Sequence, residues 1–134
     1  MTAKYTNIAA GKIIYPELSY KIVGSAFEVF NGLGYGLNEK YYQRAFEKAL
    51  EQRRIPFKKE QQIKLYYGGQ PIGSYFLDFV IENKIIVELK VRPKLGYVNV
   101  RQVMSYLKTA GYKLAILIYF TREGIKYRRI INTI

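Results

Sequence analysis

Two neighbouring apolar segments of the chain carry ionisable residues within otherwise hydrophobic runs. The stretch YFLDFVIENKIIVELKV contains Asp78 in its first segment and Glu88 and Lys90 in its second. Side chains alternate between the two faces of a strand, so Glu88 and Lys90 project from the same face. Isolated charges in a buried strand are costly unless they pair with each other or bind a metal ion. The pattern therefore predicts a chemical site on one face of a sheet.

The turn between these two segments decides whether the carboxylates meet. A three-residue turn at 82–84 sets Asp78 directly opposite Glu88, whereas a two-residue turn pairs Asp78 with Leu89. In the first register, both carboxylates and the ammonium of Lys90 converge on one face. Two interpretations remain open: an oxygen-ligated divalent cation such as Mg²⁺, or a buried salt-bridge cluster without a catalytic role. We favour the metal site, because one Lys only partly offsets two like charges.

The helix predicted over 38–54 supplies a third carboxylate and a basic ridge. Glu39 falls on the apolar stripe of this helix, although an acid is also stabilised there simply by the helix N-terminus. Lys40, Arg44 and Lys48 lie together on another face. They form either a solvated surface or a set of phosphate contacts.

Gln102 and Tyr106 occupy successive turns of a third predicted helix. Taken alone, a Gln there is more often a surface residue and the Tyr more often part of the core. The glycine-rich NGLGYG follows a helix rather than a strand, and the chain has no GK[ST] sequence. Rossmann and P-loop nucleotide sites are therefore excluded.

Helical periodicity, strand-like runs and turn residues predict the elements that must position these residues. Their order is α-α-β-β-β-α-β-β. The predicted helices are 16–31, 38–54 and 97–110, and the predicted strands are 57–67, 74–82, 84–91, 113–120 and 125–131. The segments 75–81 and 85–91 are apolar on both faces, which favours central strands covered by helices. We expect one α/β domain over residues 1–134, with a mixed sheet flanked by helices.

Composition excludes several classes of chemistry. The 134 residues include no His, Cys or Trp, which rules out disulfides, thiolate nucleophiles, Ser-His-Asp triads and imidazole metal sites. Lys and Arg number 22 against 10 Asp and Glu, a net charge of +12, which favours nucleic acid as a partner. The longest apolar run, Leu114–Phe120, is too short to span a bilayer, and residues 1–20 lack the apolar core of a secretory signal. We therefore expect a cytoplasmic protein that does not bind a membrane.

Together these residues resemble the GxxExxY family, a branch of the PD-(D/E)XK nuclease superfamily. The naming motif of the family matches Gly36-Leu37-Asn38-Glu39-Lys40-Tyr41-Tyr42. The metal-binding Asp of the superfamily matches Asp78, its E-x-K strand matches Glu88-Leu89-Lys90, and its Q-x-x-x-Y helix matches Gln102 to Tyr106. The resemblance covers nearly the whole chain, and four motifs in the right order are far more specific than any one of them. Asp78 follows Leu77 rather than the Pro of the superfamily pattern, a common variation.

The resemblance implies a restriction-endonuclease-like core and Mg²⁺- or Mn²⁺-dependent hydrolysis of phosphodiester bonds. The metal ligands that it implies are Asp78, Glu88, Glu39 and the carbonyl of Leu89. The ion would polarise the scissile phosphate and lower the pKa of a bound water. Lys90 would orient that water or offset charge at phosphorus, and Gln102 would orient the water, Lys90 or the phosphate.

We therefore expect a metal-dependent nuclease acting on DNA. Its catalytic residues would be Asp78, Glu88, Lys90 and Gln102, and its nucleic-acid contacts Lys40, Arg44 and Lys48. The alternative is a non-catalytic nucleic-acid-binding module, or a subunit docked to a partner chain, that keeps a nuclease-like fold. A homodimer that cuts both strands is an open option. The sequence does not distinguish DNA from RNA, or endonucleolytic from exonucleolytic cutting.

Overall fold

The computed structural model describes residues 8–9, 12–96 and 98–132. Its elements are, in chain order, β1 (Ile8–Ala9), β2 (Lys12–Ile13), α1 (Pro16–Leu33), α2 (Glu39–Gln52), β3 (Phe57–Tyr67), β4 (Gln70–Ile81), β5 (Ile85–Val91), α3 (Val98–Ala110), β6 (Leu114–Thr121) and β7 (Gly124–Ile131). From α1 onward, the predicted α-α-β-β-β-α-β-β order is confirmed. The sequence does not predict the β1–β2 hairpin, because two-residue strands are too short to show an alternation of apolar and polar residues. The predicted start of the third helix, Tyr97, lies outside the described residues.

Five strands form a mixed sheet in the order β3-β4-β5-β6-β7. Neighbouring strands are antiparallel except for β5 and β6, which are parallel. The helix α3 lies between them in the chain and provides the crossover that a parallel pair requires. The central strands β5 and β6 are largely buried, as their apolar runs predict. None of the helices in the described part of the chain has the length and apolar character needed to cross a membrane.

Helices cover both faces of the sheet, α1 and α2 on one face and α3 on the other. Each helix packs through apolar residues that recur every three or four positions: Ile22, Ala26 and Val29 in α1, Tyr42, Phe46 and Leu50 in α2, and Val100, Val103 and Leu107 in α3. In β5, Val87 and Leu89 pack with α1 and α2, whereas Ile86 packs with α3. Since strand side chains alternate, Glu88 and Lys90 project toward the α3 face.

At Glu60 in β3 and Asp78 in β4, the alternation of side chains between the two faces of the sheet is interrupted. Beyond this position, each strand directs the other set of alternate side chains to a given face. Strand residues two positions apart should share a face, yet Phe79 packs with α1 and α2 while Leu77 packs with α3. Phe79 and Leu77 both pair with β3, but the Asp78 position between them is not paired. Glu60, its counterpart in β3, has a φ of 53, in the left-handed region. Asp78 therefore lies where the sheet is locally distorted.

The β3–β4 hairpin is longer than the sequence predicts. The predicted start of β4 at Ser74 is wrong: the strand begins at Gln70, and only Gly68 and Gly69 form the turn. Both glycines have positive φ, 58 and 79, which suits a two-residue hairpin turn. The ladder shifts register between the Leu65–Gly73 and Tyr66–Pro71 pairs, next to a proline, which cannot donate a ladder hydrogen bond. The other predicted bounds on described residues agree with the structure within two residues.

Candidate functional site

Asp78 and Glu88 meet where β4 and β5 separate. The two strands pair antiparallel in a register whose last pair is Phe79 with Val87. This is the register of a three-residue turn at 82–84, so the two-residue alternative is wrong. If this register continued by one residue, Asp78 would pair with Glu88. At that position, hydrogen bonds between side chain and backbone replace the backbone-to-backbone hydrogen bonds of the ladder.

The carboxylates of the two acids take over the missing backbone hydrogen bonds. The N–H of Asp78 donates to Glu88 Oε2 at 2.8 Å, and the N–H of Leu89 donates to Asp78 Oδ2 at 2.9 Å. Glu88 is only 4% exposed, whereas Asp78 is half-buried. The main chain therefore holds the two carboxyl groups side by side.

Burial and mutual repulsion raise the pKa values of both acids. Burial is the main reason why the pKa of Glu88 rises from 4.5 to about 8, and the charge of Asp78 adds to it. Burial also raises the pKa of Asp78, an effect that the Leu89 amide offsets only in part. In both cases the Lys90 ammonium favours the ionised acid and the Glu39 carboxylate opposes it. Near neutral pH the two acids therefore retain a proton between them unless a cation takes its place.

Lys90 lies near the acids without forming an ion pair with them. It projects from the same face of β5 as Glu88, and its charge acts on both acids. Within the described ranges, no carboxylate oxygen lies within 4.0 Å of its Nζ. The salt-bridge interpretation requires an ion pair between Lys90 and one of the acids. The geometry of the described residues therefore counts against that interpretation.

The first turn of α2 brings Glu39 to the end of β5. Its Oε1 accepts a hydrogen bond of 3.3 Å from the Val91 N–H and lies 3.9 Å from the Arg92 guanidinium. Its charge adds to the effect of burial on the pKa values of Asp78 and Glu88. Glu39 therefore belongs to the same electrostatic group, although it bonds to a different stretch of backbone.

Tyr42 fixes the loop that precedes Glu39. Its ring is fully buried, and its hydroxyl donates to the Gly34 carbonyl and accepts from the Leu37 N–H. Gly36 in the same loop has a φ of 120, a conformation that glycine adopts readily. The three residues named in the G-x-x-E-x-x-Y motif thus act together: the glycine shapes the loop, the tyrosine holds it, and the glutamate reaches β5.

Tyr106 of α3 packs near the same acids. Its ring stacks on Tyr75 with centroids 4.0 Å apart, and burial, followed by the charge of Glu88, raises the pKa of Tyr106 to about 12. The prediction that Tyr106 belongs to the core is confirmed. Gln102, one turn earlier, is exposed, and the described hydrogen bonds of the three acids do not include it. Tyr75 carries no signal in the sequence, because it looks like any other aromatic residue of an apolar strand.

A cleft of about 430 Å³ opens between α2 and the β3–β4 hairpin. Lys40 and Arg44 line it from α2, Glu60 from β3 and Asp78 from β4. Lys48, the third predicted phosphate contact, is exposed and does not line the cleft. Sequence reasoning missed Glu60, because the segment KKEQQ lacks the alternation that would place it beside Asp78.

The donors at this site suit a hard cation. Among the residues that the structure describes, no three His, Cys, Asp or Glu side chains are clustered closely enough to hold a metal ion as they stand. Asp78 and Glu88 nevertheless offer adjacent carboxylate oxygens, the ligands that Mg²⁺ prefers, and a divalent ion would neutralise their repulsion. Glu39 accepts the hydrogen bond from Val91 through Oε1, and its second carboxylate oxygen is a further candidate ligand. The residues therefore fit Mg²⁺, with Asp78 and Glu88 as the core of the donor set.

Comparisons with known proteins give a family match and a structural resemblance. Residues 16–130 match the family model of the PD-(D/E)XK nuclease superfamily. The solved structure titled "Crystal structure of SSO0001" resembles the chain with a TM-score of 0.48 and 15% sequence identity, and the match covers 89% of this chain and 79% of that chain. No curated protein sequence gives a significant match. The segment matched by the family model contains Glu39, Asp78, Glu88, Lys90 and Gln102.

Proposed function

The chain belongs to the PD-(D/E)XK nuclease superfamily, and on this premise we propose that it is a metal-dependent nuclease that hydrolyses the phosphodiester bonds of DNA. The motif from Gly36 to Tyr42 further supports membership of the GxxExxY branch. We also propose that residues 1–134 form one nuclease-like domain.

One observation carries the proposal: Asp78 and Glu88 are held side by side where β4 and β5 separate. Two adjacent acids with raised pKa values are a cost to folding, and a purely structural cluster would pair them with a basic side chain. Lys90 is near but makes no such pair among the described residues. Perturbed acids beside a cleft with basic residues are typical of active sites.

In this proposal, Asp78, Glu88 and the Leu89 carbonyl, together with Glu39, would hold Mg²⁺ or Mn²⁺. Bound there, the ion supplies Lewis-acid chemistry, which offsets phosphate charge and makes the attacking water more acidic. Lys90 would orient that water or donate to phosphate oxygens as negative charge develops on them. Gln102 would orient the water, Lys90 or the phosphate from α3.

The basic ridge on α2 would bind the substrate backbone. Lys40, Arg44 and Lys48 are all exposed, and contacts of Lys and Arg with phosphate supply affinity without reading sequence. The first two residues also line the cleft beside Asp78, so phosphate bound there would lie near Asp78.

Incubating the protein with supercoiled plasmid, linear duplex and single-stranded DNA in Mg²⁺, Mn²⁺ or EDTA tests the proposal. We expect cleavage with a metal ion and none in EDTA. Asp78→Asn, purified identically, controls for contaminating nucleases. DNA binding without cleavage in every condition would instead identify a nucleic-acid-binding module, and cleavage only with a co-purifying chain would identify a docked subunit.

A further inference from the structure

The cleft beside Asp78 has the volume of a cavity for a small ligand. It occupies about 430 Å³ between α2 and the β3–β4 hairpin, near the lower end of the range for cavities that hold small organic ligands, about 300–1,000 Å³. A base within a DNA duplex is stacked and paired, so it is not free to enter such a space. A single unpaired nucleotide is free to enter it.

The free positive charge of the cleft lies on its α2 wall. Lys59, on the β3 side, is neutralised by an ion pair of 3.1 Å with Glu47. Lys40 and Arg44 make no ion pair within the described ranges, and both approach the ring of Tyr41, at 5.2 and 5.9 Å. The opposite wall carries the carboxylates of Glu60 and Asp78. A phosphate in the cleft would therefore be drawn toward α2.

An aromatic ring lies on the sheet wall of the same cleft. Phe76 is 58% exposed and lines the cleft two residues before Asp78. Its neighbours Tyr75 and Leu77 pack with α3 on the other face, so the phenyl ring is left on the cleft side. An aromatic face opposite free cations is the combination that single-strand binding proteins use, with bases stacking on the ring and phosphates contacting the cations.

We infer that this cleft binds one unpaired nucleotide, with its base stacked on Phe76 and its phosphate between Lys40 and Arg44. The preferred substrates would then be single-stranded nucleic acids or duplexes with frayed ends or flaps. The inference rests on the proposed function, because a nucleotide in the cleft would lie beside Asp78, a proposed catalytic residue. Binding of a nucleotide in the cleft can nevertheless be measured without cleavage.

Binding of oligonucleotides that carry 2-aminopurine tests the inference in EDTA, where no hydrolysis occurs. We expect the wild type to bind a single strand more tightly than a blunt duplex of equal length and to change the fluorescence of the base analogue. Phe76→Ala should weaken single-strand binding about tenfold and remove the fluorescence change, and Phe76→Tyr should retain both. Tyr67→Ala is the matched control, because Tyr67 is an exposed aromatic residue of the same hairpin, 79% accessible, outside the cleft.

The outcomes separate this inference from the proposed function. Phe76-dependent single-strand binding by a protein that cuts nothing supports the cleft and overturns the nuclease proposal. Equal binding of single strand and blunt duplex, unchanged by Phe76→Ala, overturns the cleft, whether or not the protein cleaves DNA. A loss of affinity as large in Tyr67→Ala as in Phe76→Ala would also overturn it, because the hairpin as a whole would then be responsible.

Discussion

The amide of Asp78 donates a hydrogen bond of 2.8 Å to Glu88 Oε2, so the backbone of one acid holds the side chain of the other. Because the Asp78 carboxylate in turn accepts from the Leu89 amide, neither acid can move away from its neighbour without breaking a backbone hydrogen bond. The folded backbone therefore keeps the two carboxylates close enough to repel each other when both are ionised. A shared proton or a bound cation relieves this repulsion.

We expect the metal-free protein to become less stable as the pH rises from about 5 to 8. Burial raises the pKa of Glu88 from 4.5 to about 8, so in this range the folded protein holds a proton that the unfolded chain releases. Unfolding then releases protons, and a higher pH favours it. Thermal melts in EDTA should show Tm falling by about 10–15 °C across this range.

Glu88→Gln is the control for this prediction, since the amide cannot titrate. The chain contains no His, so few other side chains change charge between about pH 6 and 8. The variant should therefore have a nearly flat Tm across that interval. An equal slope in wild type and Glu88→Gln would show that another group is responsible.

Asp78→Asn should remove metal binding without harming the metal-free fold. An amide is a much poorer ligand for a hard cation than a carboxylate, but its oxygen can still accept the hydrogen bond from Leu89. Loss of one negative charge should leave the free energy of unfolding in EDTA unchanged or slightly raised. The wild type should gain Tm in Mn²⁺ and the variant should not.

A structural salt bridge predicts the reverse result for the same variant. Removing the acidic partner of Lys90 would cost on the order of 3–5 kcal/mol if the pair were buried, and Mn²⁺ would stabilise neither protein. Melts of wild type and Asp78→Asn, each with and without Mn²⁺, therefore decide between the two interpretations.

Local patterns were sufficient to predict the order of the elements from α1 to β7. The apolar runs of β5 and β6 indicate central strands, and the recurring apolar residues of the helices indicate the faces that they bury. These signals lie within single segments, so they do not depend on contacts between distant residues. The β1–β2 hairpin and the extension of β4 to Gln70 have no comparable signal.

Contacts between segments were harder to predict. The position of Asp78 opposite Glu88 depends on one turn, in which Glu82 and Asn83 both have positive φ, 50 and 56. Asn adopts a positive φ more readily than Glu, so the sequence does not indicate that both residues adopt it. The choice between a two-residue and a three-residue turn, and with it the register, therefore stayed open. Glu60 reaches the site only because the alternation of side chains is interrupted in both β3 and β4, which no local pattern encodes.

Tyr42→Phe should weaken the site through the loop in front of α2. The lost hydroxyl bonds to Gly34 and Leu37, and removing such a buried partner costs about 1–2 kcal/mol. We expect a Tm lower by about 3–8 °C and a smaller gain of Tm in Mn²⁺, because Glu39 is then less firmly positioned. Tyr41→Phe, a change to an exposed neighbour, should alter neither quantity; equal effects of both changes would contradict the role given to the loop.

DNA binding should weaken steeply with salt, and the basic ridge on α2 should account for part of that dependence. Replacing Lys40, Arg44 and Lys48 together by Glu should lower affinity strongly at low salt. As single changes to Ala, Lys40 and Arg44 should each reduce the slope of log K against log salt by about 1. Lys48→Ala should have the smallest effect, because Lys48 does not line the cleft. Fluorescence anisotropy across a salt series gives these slopes, and a flat wild-type series would argue against a polyanionic partner.

Lys90→Ala should separate catalysis from binding. The ammonium lies near both acids, but among the described residues it forms no ion pair with them, so the fold should lose little stability with it. If Lys90 orients the attacking water or donates to the phosphate as negative charge develops, its loss should slow cleavage about 100-fold or more while changing DNA affinity little.

Lys84→Ala, in the exposed β4–β5 turn, removes the same charge away from the acids and should cleave as the wild type does. Gel-based cleavage rates in Mg²⁺, with anisotropy and thermal melts on the same preparations, measure all three quantities. A Lys90→Ala protein that cleaves normally, or that loses affinity in proportion to its rate, would show that Lys90 acts through binding or not at all.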